Sequence, residues 1–153
     1  LSDLTTTGNG DIKLLAENSL NMRVPISWHG GIDTIKLEDK ECIDLKLHGT
    51  AILVDAARIY SLAHGIGDTN TRDRLIAVGL ALDIPEREYL AWVSAFEFLQ
   101  MLRLSVQIDS HAIGGNFNAL ELSSLNNIDR RILKESLRAT RDLQQRIELD
   151  YGR

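Results

Sequence analysis

Apolar residues recur at spacings of three and four along most of this chain, which predicts a largely helical protein. Asp11 stands where an N-cap belongs, ahead of Ile12, Leu14, Leu15 and Leu20, and predicts a short helix over about Ile12–Leu20. A second helix is predicted from Gly49 or Thr50 to His64, where Leu53, Ala56, Ala57, Tyr60 and Ala63 form one smooth face and Gly65 stands ready to end it. Asp68-Thr69-Asn70-Thr71 supplies caps for a third, Arg72 to about Leu82. Pro85 suits the first position of a fourth, running to about Ala112. That fourth helix carries apolar residues on more than one stripe, as a helix touched from several sides would. The last helix, about Asn127–Asp150, sets Ile128, Ile132, Leu133, Leu137, Thr140, Leu143, Ile147 and Tyr151 against a face bearing Arg130, Arg131, Lys134, Arg138, Arg141 and Glu148.

The pattern changes between Val24 and Leu47. Pro25 stops any helix, and Trp28-His29-Gly30-Gly31 reads as a turn. Apolar and polar residues then alternate over Ile32–Leu37 and again over Cys42–Leu47, with Glu38-Asp39-Lys40-Glu41 as the turn between them. This predicts a small β-hairpin near residues 28–47, with an ordered coil across a helical face as the alternative. A lone hairpin is marginal in water, so it must lean on the helices. Gly114-Gly115-Asn116 breaks the chain again, and Phe117–Leu122 reads as a short connector or a single turn of helix. The fold class is therefore all-α: an antiparallel bundle of about four to five helices with the hairpin to one side. Residues 1–10 are small and polar, and Gly8-Asn9-Gly10 is turn chemistry, so they read as a flexible lead-in or linker before one domain over 11–153.

Composition narrows function more than fold. At 153 residues the chain fits one domain large enough to need no disulfide or metal for stability. A net charge of −5 disfavours nucleic acid as the main partner, although six arginines and a lysine against five acids between Asp129 and Arg153 leave that segment slightly positive. The single cysteine, Cys42, excludes an internal disulfide and a multi-cysteine zinc site, and reads as a packed residue. No apolar run approaches the ~20 residues of a membrane span, and no signal peptide is present, so the expected compartment is cytoplasmic. The chain begins at Leu1, as a piece of a longer protein would.

His29, His48, His64 and His111 share no metal-ligand spacing, and no nucleophile elbow or phosphate-cradling glycine loop occurs. The densest charged stretch is Asp44–Leu75. Asp44 and Lys46 would leave one face of a strand, and Arg58 sits two turns into the second helix. Arg72 and Arg74 open the third helix, the unfavourable end for cations, so an acid should answer one of them; Asp44, Asp55 and Asp73 are the local candidates. Such a set is either a salt-bridge network or an anion-recognition pocket built on guanidinium groups. Arg58 and His64 also loosely resemble the arginine–histidine pair of HEPN-type ribonucleases, although Ile59 replaces the polar residue that follows the arginine there.

Taken in order, Ile43-Asp44-Leu45-Lys46, Ala57–Leu62, His64-Gly65-Ile66, Thr69–Leu75 and Leu125–Lys134 resemble the nucleotidyltransferase substrate-binding domain family. Members sit at the C-terminus of bacterial proteins that carry cyclic-nucleotide-binding and CBS-pair modules ahead of a nucleotidyltransferase domain similar to that of PII-protein uridylyltransferases. The resemblance covers about Leu14–Tyr151. It implies a helical signal-transduction domain that covers the neighbouring active site and holds the acceptor, with Asp44, Lys46, Arg58, Thr71 and Arg74 at the family's motif positions. The family's catalytic glycine–serine turn and paired aspartates are missing here, so no catalytic residue is assigned and the chain should be inactive alone. Mg2+ and a nucleoside triphosphate would belong to that catalytic domain, with no cofactor in this chain. The implied partners are the parent's N-terminal catalytic and regulatory domains and an acceptor protein. The competing reading is a helical dimerisation module, with a homodimer as partner and an exposed apolar patch on the Trp92/Phe96 helix or the last helix.

Overall fold

The computed structural model describes every residue except 1, 110–112 and 153. Five helices and a three-stranded antiparallel sheet follow in the order α1 (Ser2–Leu20), β1 (Ile35–Leu37), β2 (Lys40–Asp44), α2 (Ala51–His64), α3 (Thr71–Ala81), α4 (Glu86–Ile108), β3 (Ala119–Glu121) and α5 (Asn127–Tyr151). A wide π-type turn over Lys46–Thr50 leads into α2, and a 3-10 turn over Leu122–Ser124 follows β3. The mainly helical bundle with a small β element is the predicted architecture.

Helix α2 lies at the centre. It packs on α1, α3 and α5, while α4 packs on α3, α5, the π turn and β3. Ile52, Leu53, Ala56, Ala57, Ile59 and Tyr60 of α2 are all buried, joined by Leu75, Trp92, Leu99, Leu133, Leu137, Leu143 and Ile147. Burying a Leu or Ile side chain contributes roughly 1.5–3 kcal/mol, so this shared core carries the fold. Ala63, placed on the predicted inner face, is exposed instead.

The ends of the helices follow local chemistry. Gly65 closes α2 at φ 66°, where a residue without Cβ is least strained, and Ile66 N returns to Ser61 O at 2.9 Å. Asn70 caps α3 by accepting from Asp73 N at 2.9 Å, and Asn126 caps α5 by accepting from Asp129 N at 2.8 Å. Pro85 is the cap of α4 rather than its first residue, because its ψ of 138° is extended.

Three expectations need correction, and a fourth falls outside the described residues. Helix α1 begins at Ser2, not after Asp11, so the helix runs through most of the predicted lead-in. A glycine inside a helix costs only about 1 kcal/mol, and Gly8 and Gly10 interrupt nothing. The described part of α4 ends at Ile108; the predicted end near Ala112, and His111, lie outside the described residues. Residues 117–122 hold a strand, β3, which pairs with β2 through Cys42↔Glu121, Ile43↔Leu120 and Asp44↔Ala119. Three residues are too short to show a period, which hid this strand. Finally, Ile128 and Ile132 face outwards on α5, 71% and 40% exposed. The predicted hairpin is present as β1–β2, with Glu38 and Asp39 forming a two-residue turn at φ 52° and 63°.

Candidate functional site

The end of β2 carries the predicted Asp44 to the mouth of α2. Asp44 is 7% exposed, and both its oxygens are engaged. Oδ1 accepts from the backbone N–H of Lys46 at 3.0 Å and of Leu47 at 2.8 Å, and Oδ2 accepts from Asn116 Nδ2 at 2.8 Å. It thus caps the π turn and ties the loop before β3 to it, an orientation that satisfies a buried carboxylate.

That loop is anchored further. Asn116 Oδ1 accepts from Asn118 N at 2.9 Å, and Leu45 N donates to Asn118 O at 2.9 Å. Arg103 on α4 donates to Asn118 Oδ1 at 3.1 Å and to Thr50 Oγ1 at 3.3 Å. Asn116, Asn118 and Arg103 were invisible as a unit in the sequence, because they gather from a loop and a separate helix.

Beside Asp44 opens a cleft of about 400 Å³, walled by Arg23, Asp33, Asp44 and His48 over Cys42 and Ile43. His48 Nδ1 lies 2.9 Å from Arg23 O. A carbonyl oxygen only accepts, so Nδ1 carries the hydrogen of this contact and Nε2 is left for other partners. Arg23 Nη2 approaches Asp33 Oδ2 at 3.8 Å with both side chains largely exposed, a pair too loose to close the rim. Cys42 lies fully buried in β2, as predicted, and burial pushes its thiol up from the ordinary 9.0, with Glu121 adding to the rise. The cleft therefore offers one cation, two carboxylates and an imidazole, suited to a small polar group. Arg23, Asp33 and His48 were not singled out as site residues; the nearness of His48 to Lys46 was the available signal.

The five predicted residues do not meet. Asp44 and Lys46 stand at the N-terminal end of α2, and the Lys46 ammonium is exposed with no hydrogen-bond or ion-pair partner among the described residues. Arg58 is exposed midway along α2, one turn from Asp55. Thr71 is the first residue of α3, and Arg74 Nε donates to Asp68 O at 2.7 Å near the other end of α2. The 14 residues of α2 span about 21 Å between those ends. The acid that answers Arg72 is Glu97 on α4, at 3.0 Å, and not Asp44, Asp55 or Asp73, because α4 packs across α3. Arg58 and His64 lie about 9 Å apart along the axis and a third of a turn around it. His64 stacks instead on Tyr60, with ring centroids 6.4 Å apart.

Among the described residues no three His, Cys, Asp or Glu side chains form a group able to hold a metal ion, and no helix is long and apolar enough to cross a membrane. A family model described as "Putative nucleotidyltransferase substrate binding domain" matches residues 10–151. The chain belongs to this family. No curated protein and no solved structure matches it significantly. Membership accounts for nearly the whole chain, including every element from most of α1 to the end of α5.

Proposed function

We propose that this domain positions the acceptor substrate of a nucleotidyltransferase whose catalytic domain lies outside this chain, and that the cleft at the mouth of α2 receives the acceptor. The observation that carries the reading is the cleft itself: Asp44, at the family's motif position, borders an open space with Arg23, Asp33 and His48. Lys46, exposed and unpaired beside it among the described residues, adds a cation. Arg58, Thr71 and Arg74 lie further along α2 and α3, where they would contact a neighbouring domain rather than the same acceptor group. Mg2+ and the nucleoside triphosphate would be held by that domain, and cyclic-nucleotide-binding or CBS modules of a cytoplasmic signalling protein would act upstream of it.

The parent protein, incubated with radiolabelled nucleoside triphosphates and Mg2+, should label an acceptor, while the isolated domain labels nothing. Asp33→Ala and His48→Ala should raise the acceptor KM about tenfold, equivalent to ~1.4 kcal/mol of binding, with little change in kcat. An unchanged KM in both variants would remove the cleft from the acceptor site.

A second reading rests on a separate observation. Leu90, Met101 and Leu104 on α4 and Ile128, Ile132 and Leu149 on α5 are each at least 40% exposed. This is the apolar surface that a dimerisation module would need. Sedimentation equilibrium of the domain tests it: a monomer at high micromolar concentration excludes this role.

A further inference from the structure

A second surface lies at the tip of the turn whose base walls the acceptor cleft. Residues 25–33 form a tight hairpin, closed by Asp33 N to Pro25 O at 2.9 Å, an Ile26–Ile32 bridge and Ser27 N to Gly31 O at 2.8 Å. Ser27 Oγ also accepts from Gly31 N at 3.0 Å. At the tip of this rigid turn Trp28 is 93% exposed, its ring held edge-on to His29 with centroids 5.3 Å apart.

The turn is pressed against arginines of α5. Gly30 sits at φ 89°, a conformation that side-chain-bearing residues rarely adopt, and a Cβ there would come within 2.9 Å of Arg138 Nη2, the movable end of that side chain. Arg141 Nη1 donates to Ser27 O at 3.4 Å, while its Nε is buried without an acceptor. Lys134, Arg138 and Arg141 follow at i, i+4 and i+7 along one face. The Lys134 ammonium has no partner among the described residues, and Arg138 is answered only by the exposed Glu135 one turn back, a pair readily displaced. An exposed indole thus tips a turn whose backbone meets Arg138 and Arg141, and the Arg138 guanidinium has only an exposed partner.

We infer that the Trp28 turn and the Lys134–Arg138–Arg141 face bind a free nucleotide, the base stacking on Trp28 and the phosphates meeting Arg138 and Arg141. Indole faces accept any base, and guanidinium groups match phosphate oxygens in pairs. A purine offers the larger ring for stacking. This site lies at the tip of the turn whose base residues, Pro25 and Asp33, line the acceptor cleft, and it does not depend on the reading of that cleft.

Trp92 is buried, so of the two tryptophans only Trp28 is open to a quencher. ATP titrated into the domain at low salt should quench fluorescence, and by calorimetry ATP should bind at least tenfold more tightly than adenosine or inorganic triphosphate. Trp28→Ala and Arg138→Ala should each weaken ATP binding at least fivefold, and Arg141→Ala likewise, with circular dichroism to check folding. Arg138→Ala removes only an exposed pair and keeps the test open if Arg141→Ala unfolds. Triphosphate binding as tightly as ATP would make the face an unspecific anion patch and overturn the inference. So would adenosine matching ATP, oligoadenylate binding more tightly than ATP, no binding at millimolar ATP, or variants that bind as well as the parent chain.

Discussion

Asn116 Nδ2 donates to Asp44 Oδ2 at 2.8 Å, joining two residues 72 positions apart and fastening the loop before β3 to the start of the π turn. With its other oxygen on two backbone N–H groups, Asp44 organises the cleft wall before it can touch a ligand. Asp44→Ala should therefore destabilise the domain by about 1–3 kcal/mol, since it strands three part-buried donors. Asn116→Ala should cost about 1–2 kcal/mol, and the double variant should cost less than the two singles together. Urea denaturation of the four proteins measures this; strictly additive losses would show that the bond contributes nothing of its own.

Gly79 of α3 lies against Tyr89 of α4. A Cβ on Gly79 would lie 2.4 Å from the ring of Tyr89, which is itself buried. Alanine would gain about 1 kcal/mol of helix propensity at this position. Overpacking a fixed ring typically costs 1–3 kcal/mol or more, and this clash is severe, so Gly79→Ala should be destabilising on balance. A melting temperature equal to or above that of the parent would mean that Tyr89 moves aside freely.

Long periodic segments made α2, α3 and α5 readable, because 3–4 spacing and a cap residue such as Asn70 or Asn126 act within a few positions of one another. The Gly65 stop was readable for the same reason. What escaped depends on distant parts of the chain. Strand β3 exists because Cys42, Ile43 and Asp44 offer it a free edge, and α1 continues through Gly8 and Gly10 although their local chemistry says turn. The site was legible in half. The Asp44–Lys46 step lies at the end of α2 where the cleft opens, but Arg23 and Asp33 reach the cleft only through the fold of residues 23–35, and Glu97 answers Arg72 from another helix.

Asp55 gives a pH-dependent prediction. Partial burial in α2 raises its carboxyl above the ordinary 3.8, and Arg58 opposes that rise without cancelling it. The folded state therefore holds this proton more tightly than the unfolded state. The sign follows: stability from this group is fullest below 3.8 and is lost as pH rises through the raised folded value, so the ionised carboxylate is a burden at neutrality. Asp55→Asn should raise the melting temperature at pH 7, with the gain shrinking as pH falls towards 3.8. A gain that persists unchanged in acid would point to a cause other than ionisation.

Tyr60 gives the opposite end of the pH scale. Its ring is 1% exposed, its hydroxyl donates to Asp150 Oδ2 at 2.7 Å, and Tyr151 packs edge-on at 5.4 Å between ring centroids. This fastens the last turn of α5 to the middle of α2. Burial first, and then the Asp150 bond, push the phenol far above its ordinary 10.0. Near neutrality Tyr60→Phe loses one hydrogen bond and leaves an exposed carboxylate that water can serve, so it should cost about 1 kcal/mol. Above pH 10 the unfolded phenol ionises while the folded one does not, so the parent chain loses stability with rising pH. Cys42 and Tyr151, whose values are also raised, add slope of the same sign and remain in the variant. The gap between Tyr60→Phe and the parent should therefore narrow steadily as alkaline pH rises, in denaturant titrations on either side of pH 10. Parallel curves would mean that Tyr60 ionises as easily folded as unfolded, which its burial and its bond to a carboxylate both oppose.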